Sequence, residues 1–169
     1  DPSQADKKAE NLARADVFLK DAQAKYPEHP LTHYMAGQSL VVREQVGDAI
    51  RAFQQAYDRV EQLRVTQGRL WRELGVGRLP SEQLALLYRQ QGQSGEAQRF
   101  ALLAIDEYQG VGLRPPPLLL VNAAELLVQN GKPQKASDLL NDVLTKYPEY
   151  KENRELAAHP RIAYRAIQR

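Results

Sequence analysis

A chain of 169 residues, 43% hydrophobic and 26% charged, has the composition of an ordinary globular domain and is long enough to bury about 70% of its unfolded surface. Its 23 basic and 21 acidic side chains leave a formal charge of +2, so no strong field steers it toward nucleic acid or a membrane. The absence of cysteine excludes disulfides, thiolate zinc sites and cysteine nucleophiles together, and leaves the compartment open between cytoplasm and periplasm.

No apolar run approaches the roughly 18 residues of a membrane span; Leu118 to Val121 is far too short. No signal peptide is visible, and the opening at Asp1 rather than Met suggests a processed protein or a piece of a longer one. Ser3 to Tyr26 then reads as one long amphipathic helix with Leu12, Ala15, Leu19 and Ala22 as its apolar stripe. Tyr26-Pro27-Glu28-His29-Pro30 ends it, and Pro30 suits the first turn of a second helix running to about Glu44. Asp48 is placed to cap the third. Ala49, Phe53 and Ala56 share one face of that helix, and Val60 and Leu63 continue the stripe past them.

Between Gln62 and Leu79 lies an arginine-rich stretch broken by Gly68, Gly75 and Gly77. It holds Trp71, the single tryptophan, between Arg69 and Arg72, and Arg69 to Leu74 is expected to add a turn or two of helix. Leu79-Pro80-Ser81-Glu82 opens the next helix, Gln91 to Gly95 is a turn, and Ala97 to Tyr108 is again helical. The connection Gln109 to Pro117 ends in three prolines, read as a stiff spacer. Leu118 to Asn130 and Pro133 to Tyr147 form a last helical pair around Gly131, followed by charged helical segments at Lys151 to Ala158 and Arg161 to Gln168.

The same ladder recurs along these helices. Ala49, Phe53 and Ala56 are echoed by Ala15, Leu19 and Ala22 before them, and by Ala97, Ala101 and Ala104 and then Ala136, Leu140 and Val143 after them. First-helix residues recur as well: Ala36, Gly37 and Leu40, then Leu84, Ala85 and Tyr88, then Ala123, Ala124 and Leu127. Small residues let two helices approach closely, and the ring of Phe53 fills the gap between them. This pattern resembles the tetratricopeptide repeat, a helix-turn-helix of 34 residues.

The resemblance implies an all-α, right-handed solenoid over a single domain, 1–169. Its units would be 1–29 (partial, with the partner helix upstream), 30–63, 78–111 and 117–150, with an insertion at 64–77 and a solvated cap at 151–169. It also implies a non-catalytic scaffold. First helices of successive repeats would line a concave groove for a peptide or helix of a partner protein. Carried onto this chain, the walls are Tyr34, Gln38, Val41 and Val42, then Leu86, Arg89 and Gln90, then Val121, Glu125 and Val128. Family members that clamp a chaperone's C-terminal carboxylate use Lys and Asn where this chain has Tyr34 and Gln38, so an apolar occupant is expected instead.

Catalytic patterns are scarce. His29 and His33 stand four apart beside Glu28, but Pro30 starts a helix between them and no third ligand is evident, so neither a metal nor a cofactor is expected. There is no Gly-x-Ser-x-Gly elbow, and Gly75-x-Gly77 leads into no phosphate-binding pattern. Two other readings stand beside the groove. Arg69, Trp71 and Arg72, with Arg59, Arg64, Arg78 and the basic C-terminal end, form a secondary patch for a partner, nucleic acid or another anionic surface. Self-assembly into a homo-oligomer is the other.

Overall fold

The computed structural model describes residues 2–68 and 75–153, with side chains from residue 10 onward. Arg69, Trp71, Arg72 and the expected cap beyond Asn153 lie outside the described residues. Among the described residues there are seven α-helices and one 3-10 turn, and no strand. They fall into two compact units, Asp1–Trp71 and Arg72–Arg169.

In the first unit, α1 spans Pro2–Lys25, α2 Pro30–Val42 and α3 Val46–Gln67. The α2–α3 pair is built on a close approach. A Cβ placed on Gly37 would stand 2.6 Å from Phe53 Cε1, and Phe53 is fully buried with Ala49 and Ala56. Only glycine leaves room for that ring. Tyr34, from the same helix as Gly37, tilts against the Phe53 ring at 5.5 Å between centroids. The helix α3 extends through Gln67, so residues 64–67 of the expected insertion are helical, and Val60 is buried as the stripe predicts.

Two expectations fail in this unit. Asp48 does not cap α3: the helix begins at Val46, its cap is Gln45, and Asp48 pairs with Arg51 inside the first turn. The stripe on α1 is not a core either, since Ala15 is exposed and Leu12, Leu19 and Ala22 are only half-buried. Amphipathic spacing marks a face that can be buried, and burial needs a partner on that face. Here α1 meets α2 and is tied to its end by Arg43, whose guanidinium grips both Asp16 oxygens at 2.6 and 2.7 Å.

The second unit contains α4 (Arg78–Gln90), α5 (Ser94–Gly110), α6 (Pro117–Gln129), α7 (Pro133–Lys146) and the 3-10 turn Pro148–Glu152. Packing runs from each helix to the next, α4 on α5, α5 on α6 and α6 on α7. The ladder residues Ala97, Ala101, Ala104, Ala136, Leu140 and Val143 are all fully buried. Where the expected capping helix would begin, Lys151 and Glu152 lie in the 3-10 turn instead. Tyr150 holds that turn by donating its hydroxyl to the Pro115 carbonyl at 2.9 Å, beside an Arg114–Glu149 ion pair at 2.6 Å.

The three helical pairs close with one shared geometry. Gln45 N–H donates to Leu40 O, Gln93 N–H to Tyr88 O, and Lys132 N–H to Leu127 O, each accompanied by a bond spanning fewer residues, from Glu44 to Val41, Gly92 to Arg89 and Gly131 to Val128. This double bond pattern ends a helix by turning one residue left-handed. Gly92 and Gly131 take that conformation at φ 73° and 71°, and Glu44 takes it at 62° without being glycine.

Candidate functional site

The second unit carries a cleft lined by residues of α4 and α6 and by Ala101 of α5. Its apolar lining includes Ala85, Leu86, Leu119 and Leu126, and its volume is about 100 Å³. Leu86 is 41% exposed and Leu118 62% exposed. Exposed leucines on one face invite burial against something else.

Helix periodicity sets out what surrounds them. Glu82, Leu86 and Arg89 on α4 fall at steps of four and three, and so do Leu118, Asn122 and Glu125 on α6. Arg89 crosses between the two helices, one Nη2 donating to Glu125 Oε2 at 2.7 Å and Nη1 donating to Asn122 Oδ1. That bridge fixes the spacing at one end of the cleft and neutralises its own charge. At the other end stands Glu82, whose Oε1 is covered and has no hydrogen-bond partner. Burial first, and then the neighbouring Glu82 carboxylate, push the Tyr108 hydroxyl up to about 12, while Arg78 acts in the opposite direction. Arg78 lies over the Tyr108 ring at 5.5 Å and donates to the Gly75 carbonyl at 2.6 Å.

The residues expected in the groove divide into several kinds of environment. Leu86, Arg89 and Gln90 are exposed on α4, and Glu125 is exposed on α6. Val128 is half-buried. Val121 is corrected: at 7% exposure it belongs to the core of α6 with Leu120 and Ala124, and offers no surface to a ligand. In the first unit, Tyr34 accepts a hydrogen bond from Gln38 at 2.9 Å, Val41 is half-buried and Val42 is exposed.

Glu82, Leu118 and Asn122 were missed by sequence reasoning. Stepping one helical turn back from Leu86 would have reached Glu82, and one turn forward from Leu118 would have reached Asn122. A second cleft, of about 450 Å³, separates α1 from α2 in the first unit and is lined by Leu12, Phe18, Leu19, Met35 and Val42. Phe18 is 68% exposed at its edge.

Several arginines of the described residues are engaged in ion pairs. Arg59 pairs with Glu28, Arg64 with Glu61 and Arg99 with Glu96, which lowers the field available to a phosphate. His29 uses Nδ1 to accept the Leu31 N–H at the start of α2, at 3.2 Å. Among the described residues no three His, Cys, Asp or Glu side chains converge as a metal site would require, and no helix is long and apolar enough to cross a membrane. No protein-family model matches the chain, and no curated protein matches it.

Proposed function

We propose that this chain is a tetratricopeptide-like, non-catalytic binding module that holds a peptide or helix of a partner protein on the face formed by α4 and α6. The observation that carries this reading is the α4–α6 cleft itself, an apolar floor with two exposed leucines and a fixed Arg89–Glu125 bridge at its end. A short segment that inserts apolar side chains there would gain most of its affinity from a few anchors, with the polar rim setting its register. Pairing of Arg59 and Arg64 with acids makes an anionic-surface reading the weaker one.

A displayed random-peptide library panned on the whole chain tests the proposal. Binders are expected that hold the wild-type protein and lose it when Leu86→Glu is introduced into a chain shown to remain folded. Binders indifferent to Leu86→Glu would overturn it.

A further inference from the structure

The first helix, α1, carries a charge pattern that complements its own reverse. Glu10, Arg14, Asp21 and Lys25 fall on one face at steps of four, seven and four. Glu10 pairs with Arg14 at 2.7 Å and Asp21 with Lys25 at 2.9 Å, and all four side chains are more than half exposed. Reading the face backward exchanges acid for base: Glu10 takes the place of Lys25, and Arg14 the place of Asp21. Both exchanges are centred on the same point, between Val17 and Phe18. Those two side chains are large, apolar and 67% and 68% exposed. The charges between them and the pairs, Asp16 and Lys20, lie round the helix from this face, and Asp16 is held by Arg43.

Beside the charged face runs a second line, Asn11, Ala15, Phe18 and Ala22, at steps of four, three and four. Ala15 and Phe18 line the cleft between α1 and α2, whose other wall includes Met35 and Val42, 39% and 42% exposed. We infer that the occupant of this cleft is a second copy of the chain, docked through α1 in antiparallel orientation about a twofold axis near Val17. Each Phe18 packs over the partner's Ala15, a large side chain on a small one, and enters the partner's cleft. Each Arg14 stands between its own Glu10 and the partner's Asp21, and each Lys25 between its own Asp21 and the partner's Glu10. Exposed ion pairs add little affinity. Burial of the Phe18 ring supplies it, and the charges fix the orientation. A parallel pairing sets Arg14 against the partner's Arg14 and is disfavoured.

Sedimentation equilibrium on the whole chain provides the test. The wild type should form a concentration-dependent dimer, and Phe18→Ala should raise its dissociation constant at least about tenfold. Arg14→Glu and Asp21→Arg should each raise it at least about fivefold, because the twofold axis repeats every lost contact. Both changes are at exposed positions, and circular dichroism checks that the helices are kept. Mixed in equal amounts, the two charge variants should recover dimers of wild-type affinity, since each supplies the charge that the other has reversed. A helix merely weakened by substitution is not rescued by mixing. A wild type that stays monomeric at its highest soluble concentration, a dimer indifferent to Phe18→Ala, or charge variants that fail to complement each other overturns the inference.

Discussion

The contact between Gly37 and Phe53 can be tested by a complete mutant cycle. Truncating Phe53, fully buried, to alanine should cost about 3 to 5 kcal/mol. Gly37→Ala sets a methyl 2.6 Å from the ring, and the ring, fully buried and packed against Tyr34, has little room to yield. Overpacking of this kind costs about 1 to 3 kcal/mol, and the better helix propensity of alanine offsets about 1 of it. The double variant should be less destabilised than the sum of the two by about 1 to 3 kcal/mol, because the clash disappears with the ring. It would also reproduce the Ala85 and Ala101 combination that stands at the corresponding positions of the next pair. Urea unfolding followed by circular dichroism measures all three variants. Effects that add to within about 0.5 kcal/mol would refute the close-packing argument.

Leu86→Glu should leave the unfolding midpoint nearly unchanged, within about 0.5 kcal/mol, whereas Val121→Glu should cost at least about 3 kcal/mol by burying an unpaired charge. Equal effects would mean that the two positions are not on opposite sides of the surface. Glu44→Gly should stabilise the first unit by about 0.5 to 1 kcal/mol, since it relieves a left-handed residue with φ 62°, and a loss on thermal melting would contradict this. Tyr108 gives a pH signature. Its folded value of about 12 lies above the ordinary 10.0, so its contribution to stability is complete below pH 10 and is lost as pH rises toward 12. Melting temperature should therefore fall more steeply over that window in the wild type than in Tyr108→Phe, and parallel curves would refute the assignment.

The ladder of small and large residues was legible because helix–helix contact distance depends directly on side-chain size. Ala49, Ala97 and Ala136 could be read as buried from spacing alone, and all three are. The earliest copy, Ala15 to Ala22, misled for the same reason, because spacing reports which residues share a face and not whether anything covers it. Gly92 and Gly131 announced their turns, while the first pair closes through Glu44, a left-handed residue whose identity gives no warning. In the groove, helical phase placed Leu86 and Arg89 outward. It misplaced Val121 because α6 is apolar through Leu118, Leu119, Leu120 and Val121, where a period of 3.6 is hidden in a continuous run. The Arg89 bridge to Asn122 and Glu125 joins residues more than thirty positions apart, and no local pattern encodes it.

The most direct measurement of the binding proposal is an amide chemical-shift map of the whole chain titrated with a Leu86-dependent peptide. Shifts that cluster on Glu82, Leu86, Arg89, Leu118 and Asn122, with little change at Arg99 on α5 or Asp138 on α7, are the predicted result. Shifts centred on α5 and α7, or confined to the first unit, would contradict the α4–α6 face as the binding surface.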